Sequence, residues 1–349
     1  MANCQSAKKK QALLRMQERK WGVMCHYLSK IQNNPQTINN EGVGETSWEQ
    51  MVNEFDVESF AKQLHELGAK YILFTIMQGD RYMIAPNETY DKLMGLKAGE
   101  ACSRRDLPLE LYEALKKYDI DLYLYYTSDG PYLDEELGPK MGWHIREKEK
   151  LNDRFLRNWA SVLKEYAERY KGKAKAWWVD GAYEYFGFND ENLSYYAEAL
   201  QSADENYLIT FNDGYAVNML WVKDNEWKAD RYDRNATGEQ ATDVSLRKYS
   251  KYEDFTAGEA LDFTIYPTSE TQDGSLWHIL SPLSGGDGIN CEWGGAFVKY
   301  TKEYMCNYFR RVWEKKGIIT VDMGVTRSGK FFDEQVSFMK EVMQELNKK

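Results

Sequence analysis

The sequence predicts an α/β fold of the (β/α)8 barrel class, irregular around its fifth and sixth strands. Three observations carry that expectation. Short apolar runs alternate with amphipathic stretches along most of the 349 residues, the pattern of a parallel sheet covered by helices. A glycine or a polar turn stands at most of the joints. The length suits one barrel with its connections, and no repeat, low-complexity tract or linker divides the chain.

Residues 1–20 are polar and basic and read as an exposed helix or arm ahead of a single domain over 21–349. Trp21 to Leu28 (WGVMCHYL) reads as the first strand and carries His26 near its end. Val57, Phe60, Ala61 and Leu64 share one helical face, and Gly68 stops that helix. Tyr71 to Met77 is a second strand followed by Gln78-Gly79-Asp80. Leu111, Leu115 and Tyr118 repeat the helical period after Asp106, which stands where an N-cap would. Asp121 to Thr127 is a third strand, closed by Ser128-Asp129-Gly130-Pro131.

A long helix over 151–171 buries Phe155, Trp159, Val162, Leu163 and Tyr166. Ala176 to Val179 suit a buried fourth strand that Asp180-Gly181 ends abruptly. A helix near 190–203 and a strand from Tyr207 to Phe211 lead to Asn212-Asp213-Gly214. Residues 215–254 break the rhythm. They are polar, charged and longer than an ordinary connection, which suits a lid, a binding loop or an interface. Phe255 to Glu259 then reads as a short sixth strand, Leu276 to Leu283 as a seventh and Gly317 to Val321 as an eighth. Helices near 299–315 and 332–347 complete the set.

A net charge of −10 repels phosphate backbones and anionic membranes, and the one basic run is Lys8-Lys9-Lys10, so no nucleic-acid partner is expected. No apolar run approaches about 18 residues, so no membrane span is expected. The five cysteines and four histidines lack metal-ligand spacing, and no metal or cofactor is expected. Aromatics reach 14% of the chain, enough either to stack on sugars or simply to fill a large core. No targeting signal is evident, which points to the cytoplasm. Alternatively, Cys4 is the first residue of a processed lipoprotein, secreted or periplasmic.

A carboxylate at the carboxyl end of a buried strand sits where an α/β barrel keeps its chemistry, and Asp180 and Glu259 both end strands. Asp180 alternatively caps the following helix. Laid in order, the segments resemble glycoside hydrolase family 29, the α-L-fucosidases, from about residue 20 onward. Trp21-Gly-Val-Met-Cys-His26 is similar to the first-strand pattern whose histidine touches the sugar. Ser103-Arg-Arg105-Asp106 with Leu122-Tyr-Leu-Tyr-Tyr126-Thr is similar to the Arg-Asp, helix, "GLYYS" segment. Trp178-Val-Asp180-Gly181 matches the nucleophile motif, and Asp254-Phe-Thr-Ala-Gly-Glu259 resembles the acid/base segment.

The resemblance implies a retaining exo-α-glycosidase acting on an oligosaccharide or glycoconjugate, with Asp180 as nucleophile and Glu259 as acid/base. Glu184, Glu270 and Glu292 are rivals for the acid. It also implies sugar contacts from His26, Trp178, Tyr126 and Trp277, each of which is otherwise ordinary core. One departure concerns the sugar pocket. The family's "HHDGF" run is replaced by Met77-Gln78-Gly79-Asp80, so Gln78 and Asp80 either take over the hydroxyl contacts or form a plain turn. The glycone pocket is therefore expected to differ from the usual L-fucose one. The alternative is a carbohydrate-binding protein that kept the barrel and lost catalysis.

Overall fold

A computed structural model describes residues 7–143, 151–214, 219–222, 226–229, 248–284 and 293–348. Its frame is seven strands: β1 (Trp21–Cys25), β2 (Tyr71–Thr75), β3 (Asp121–Thr127), β4 (Ala174–Asp180), β5 (Leu208–Phe211), β6 (His278–Pro282) and β7 (Ile318–Asp322). They pair in the order β6-β7-β1-β2-β3-β4-β5, every pair parallel. The helices are α1 (Ala7–Arg19), α2 (Val57–Leu67), α3 (Leu107–Lys116), α4 (Asp153–Arg169), α5 (Ser194–Ala203), α6 (Lys302–Glu314) and α7 (Asp333–Leu346), with several shorter turns between them. Polar side chains start four of them. Asp56, Asp106, Asn152 and Thr301 each accept the backbone N–H three residues on, the ordinary N-cap contact. Asp106 is thus a cap, as its position predicted.

Strand side chains alternate between two buried clusters. Ile72, Leu124, Trp177, Ile209 and Val321 face outward, in the layer packed beneath the helices. Met24, Leu73, Tyr125, Trp178, Leu208, Leu280 and Ile318, one from each strand, pack together on the other face. That second face is buried almost without helical cover, so the sheet curls and its own side chains fill the interior. Gly22 belongs to this packing, because a Cβ there would lie 2.4 Å from the Tyr71 ring.

Two expectations are corrected. Phe255 to Glu259 is no regular strand. It joins the sheet through two isolated bridges, Phe255 to Leu276 and Glu259 to Leu280, and its neighbour Asp254 donates its N–H to Ile209 O at 2.8 Å. A glycine with φ of +65° at Gly258 breaks the pleat. The amino-terminal stretch is also more than an exposed arm. In α1 Met16 enters the inner cluster at 1% exposure. Arg15 and Arg19 pair with Asp119 and Asp121 beside the start of β3, and Lys9 Nζ lies 2.6 Å from Asp254 Oδ2. The basic composition of this helix reflects two buried acidic partners, Asp121 and Asp254, and one exposed one, Asp119.

Candidate active site

Inward alternation carried to the carboxyl ends of the strands brings together residues far apart in sequence. Past Met24 the next inward position is His26, past Trp178 it is Asp180, past Leu208 and Thr210 it is Asn212, and past Thr320 it is Asp322. These four and Glu259 line one end of the sheet, where parallel α/β folds place their reactive groups.

The central contact is a shared amide. Asn212 Nδ2 donates to Asp180 Oδ1 at 2.8 Å and to Glu259 Oε2. Two acceptors on one nitrogen lie at most about 6 Å apart, twice a hydrogen-bond length. Asp180 Oδ1 also accepts from Gly181 N at 2.8 Å, and Oδ2 accepts from the Tyr125 hydroxyl. Three donors therefore orient one half-buried carboxylate. Glu259 is buried at 9% exposure. Burial first, and then the nearby charge of Asp180, push its carboxyl well above the usual glutamate range, against the opposing hydrogen bond from Asn212. One carboxyl group of the pair is thus built to hold a proton beside an oriented acceptor.

Around this pair, His26 Nδ1 lies 2.8 Å from Asp322 Oδ2, while Asp322 Oδ1 accepts from Gly294 N at 2.6 Å. A carboxylate on Nδ1 fixes the tautomer with its proton there and leaves Nε2 as an acceptor. Gln78 Nε2 donates to the Tyr125 hydroxyl at 2.8 Å, so Gln78 joins the chain that ends on Asp180. Asp80 is half-buried, and burial raises its carboxyl while Lys30 opposes the rise. The charge of Lys30 reaches Asp80, Asp180 and Asp129 alike. Asp129 is buried at 4% exposure, and its carboxyl occupies the space that a Cβ on Gly181 would need. Burial, then Asp180, raise its pKa well above the usual range.

Not every expected residue arrives at this site. Tyr126 has the outward parity and stacks on Trp159 with ring centroids 5.0 Å apart, whereas its neighbour Tyr125 faces the site. Trp277 precedes β6 at the opposite end and packs in the outer layer at 1% exposure. Glu270 is at that far end too, with Lys316 Nζ 2.6 Å from its carboxylate. Glu184 is exposed on the turn Glu184–Phe186 after β4. Trp178 lies beneath the site, stacked on Tyr125 at 5.4 Å and buried at 2% exposure. Glu292 lies outside the described residues. Three contributors went unnoticed in the sequence, namely Tyr125, Asn212 and Asp322. Each is a polar group at or near the end of an apolar run, which was the available signal.

Residues 2–278 match the family model described as Alpha-L-fucosidase. No curated protein matches the sequence. Among solved structures, an endo-fucoidan hydrolase of glycoside hydrolase family 107 superposes with a TM-score of 0.63 at 15% identity, over 94% of this chain and 91% of that one. An alpha-L-fucosidase GH29 from Bacteroides thetaiotaomicron gives 0.59 at 14% identity, over 96% and 73%. An alpha-L-fucosidase in complex with Fuca(1,6)GlcNAc gives 0.59 at 16% identity, over 97% and 99%. These likenesses bear on the fold. Among the described residues no helix is long and apolar enough to cross a membrane.

Proposed function

The chain belongs to the α-L-fucosidase family and is a glycoside hydrolase, and from that premise we propose that it is a retaining exo-α-glycosidase whose glycone pocket departs from the usual L-fucose one. The single observation that carries the reading is the Asn212 amide shared by Asp180 and Glu259. Carboxyl groups about 5 to 5.5 Å apart suit double displacement, whereas inversion needs about 6.5 to 9.5 Å to admit a water. The bound set by one amide nitrogen supports the shorter arrangement.

In this mechanism Asp180 attacks the anomeric carbon as the bond to the leaving oxygen breaks, and Glu259 gives its proton to that oxygen. Glu259 then takes a proton from water, the water oxygen attacks the anomeric carbon, and Asp180 is released as carboxylate. His26 Nε2 accepts from a sugar hydroxyl, held in place by Asp322. Gln78 and Asp80 take the remaining hydroxyls in place of the histidine pair, and the donation from Gln78 to Tyr125 couples that part of the pocket to the nucleophile. The 254–260 segment acts as the eighth stave, closing the gap between β5 and β6 while carrying the acid on its end.

The test is turnover of aryl α-L-fucosides and α-L-galactosides, with Asp180→Asn as control. The variant should lose on the order of 10³-fold or more of whichever turnover is found. Sugar binding without any turnover would instead identify a binding protein on this fold.

A further inference from the structure

Glu259 stands on a segment that joins the sheet by isolated bridges at Phe255 and at Glu259 itself and by no continuous ladder, so the contacts between those two bridges share in setting its reach. The described contacts converge on His278, the first residue of β6, which is buried at 2% exposure. Its backbone N–H donates to Thr256 Oγ1 at 2.9 Å, and that hydroxyl donates to His278 O at 2.8 Å. Its Nδ1 faces two carbonyls, Thr256 O at 2.9 Å and Ala257 O at 3.2 Å, so this nitrogen bears the proton. Among the described residues neither carbonyl accepts a backbone N–H, and the imidazole satisfies what a regular strand would satisfy by pairing.

The far side of the ring is anchored too. Nε2 accepts from Thr320 Oγ1 at 2.7 Å, and Thr320 meets the Tyr71 hydroxyl at 2.6 Å. Burial lowers the His278 pKa to about 4, so the ring stays neutral and keeps one donor and one acceptor above that pH. Ala257 O also receives Trp178 Nε1 at 3.0 Å. The carbonyl two residues before the acid is thereby tied to the side chain two residues before the nucleophile. At Gly258 a Cβ would lie 2.0 Å from His278 O, so the segment runs hard against β6 at this point.

From this geometry we propose that His278 is a positioning residue for Glu259: by gripping the Thr256 and Ala257 carbonyls it sets the distance of the acid from Asp180 and from the leaving oxygen. The inference rests on Glu259 being the acid/base, as read above. A misplacement of about 1 Å in such a group can cost on the order of 100-fold in rate.

The experiment compares a phenyl with a dinitrophenyl glycoside of the accepted sugar. The second leaving group departs without protonation, so only the first needs a placed acid. His278→Leu should lose about 10- to 100-fold in kcat/KM on the phenyl glycoside and less than about threefold on the dinitrophenyl one. His278→Asn, which keeps a donor near the Nδ1 position, should recover most of the loss. If the Leu variant does not fold, His278→Gln, which removes that donor and keeps the other end, carries the same comparison. Equal losses on both substrates, or none on either, would overturn the proposal. Glu259→Gln separates the two readings. If it splits the substrates while the His278 variants do not, only the positioning role fails. If Glu259→Gln shows no split, the acid assignment fails and the positioning role with it.

Discussion

Asp180 and Glu259, 79 positions apart in sequence, lie on either side of one amide nitrogen, that of Asn212. A neutral donor between two carboxyl groups lets them stand close with only one ionised. It leaves one oxygen on each free of this contact to face a substrate. At the carboxyl groups themselves, the distance on which a double displacement depends is held by this Asn212 contact.

Asn212→Ala removes that tie. The expected outcome is a fall of about 10- to 100-fold in kcat, the worth of a hydrogen bond to a charged group, together with a lower thermal midpoint, because the amide that is lost is fully buried. The hydrogen bond from Asn212 holds the Glu259 carboxyl down against burial and Asp180. Its loss should therefore move the basic limb of the pH–rate profile to higher pH. Steady-state kinetics across pH checks both statements.

Glu259→Gln should stabilise the fold at neutral pH. The Glu259 carboxyl binds its proton more tightly folded than unfolded, because burial and then Asp180 raise its pKa. Stability therefore falls as pH climbs from the ordinary glutamate value of about 4.3 toward the raised one. Glutamine has no proton to lose. The Tm advantage of the variant should be present at pH 7 to 8 and close as pH falls toward about 4, as calorimetry over that range would show.

Two adjacent tyrosines should behave differently. Tyr125→Phe removes a donor from the Asp180 carboxylate and should cost about 10- to 100-fold in kcat/KM. Among the described residues the buried Tyr126 hydroxyl has no hydrogen-bond partner, so Tyr126→Phe should leave activity unchanged and stability equal or higher. Kinetics on the pair of variants decides which ring serves the site.

Lys9→Met tests the amino-terminal helix. The Lys9 and Asp254 side chains are 9% and 7% exposed, and breaking a buried pair by removing one partner costs about 3 to 5 kcal/mol. Denaturant unfolding should report a loss of that order, with Tm lower by roughly 5 to 10 °C. Because Asp254 opens the segment that carries Glu259, kcat should also fall.

The amino-acid sequence by itself determined the alternation of strands and helices, the caps such as Asp106, the carboxylate of Asp180 at the end of β4 and the resemblance that the family match bears out. These are local signals, carried by period, composition and short motifs. What only the tertiary structure decided is which side of each strand faces inward. Here both faces of the strands are buried in apolar or aromatic surroundings, so hydrophobicity shows no contrast with period 2 and cannot separate Tyr125 from Tyr126. The register of β3 on β4, which sets Tyr125 opposite Trp178, resolves that choice, and sheet curvature brings Asn212 and Asp322 to the site. It also separates Trp277 and Glu270, which lie at the far end. A contact between groups dozens of residues apart depends on register and curvature summed over several strands, and no local pattern in the chain records that sum.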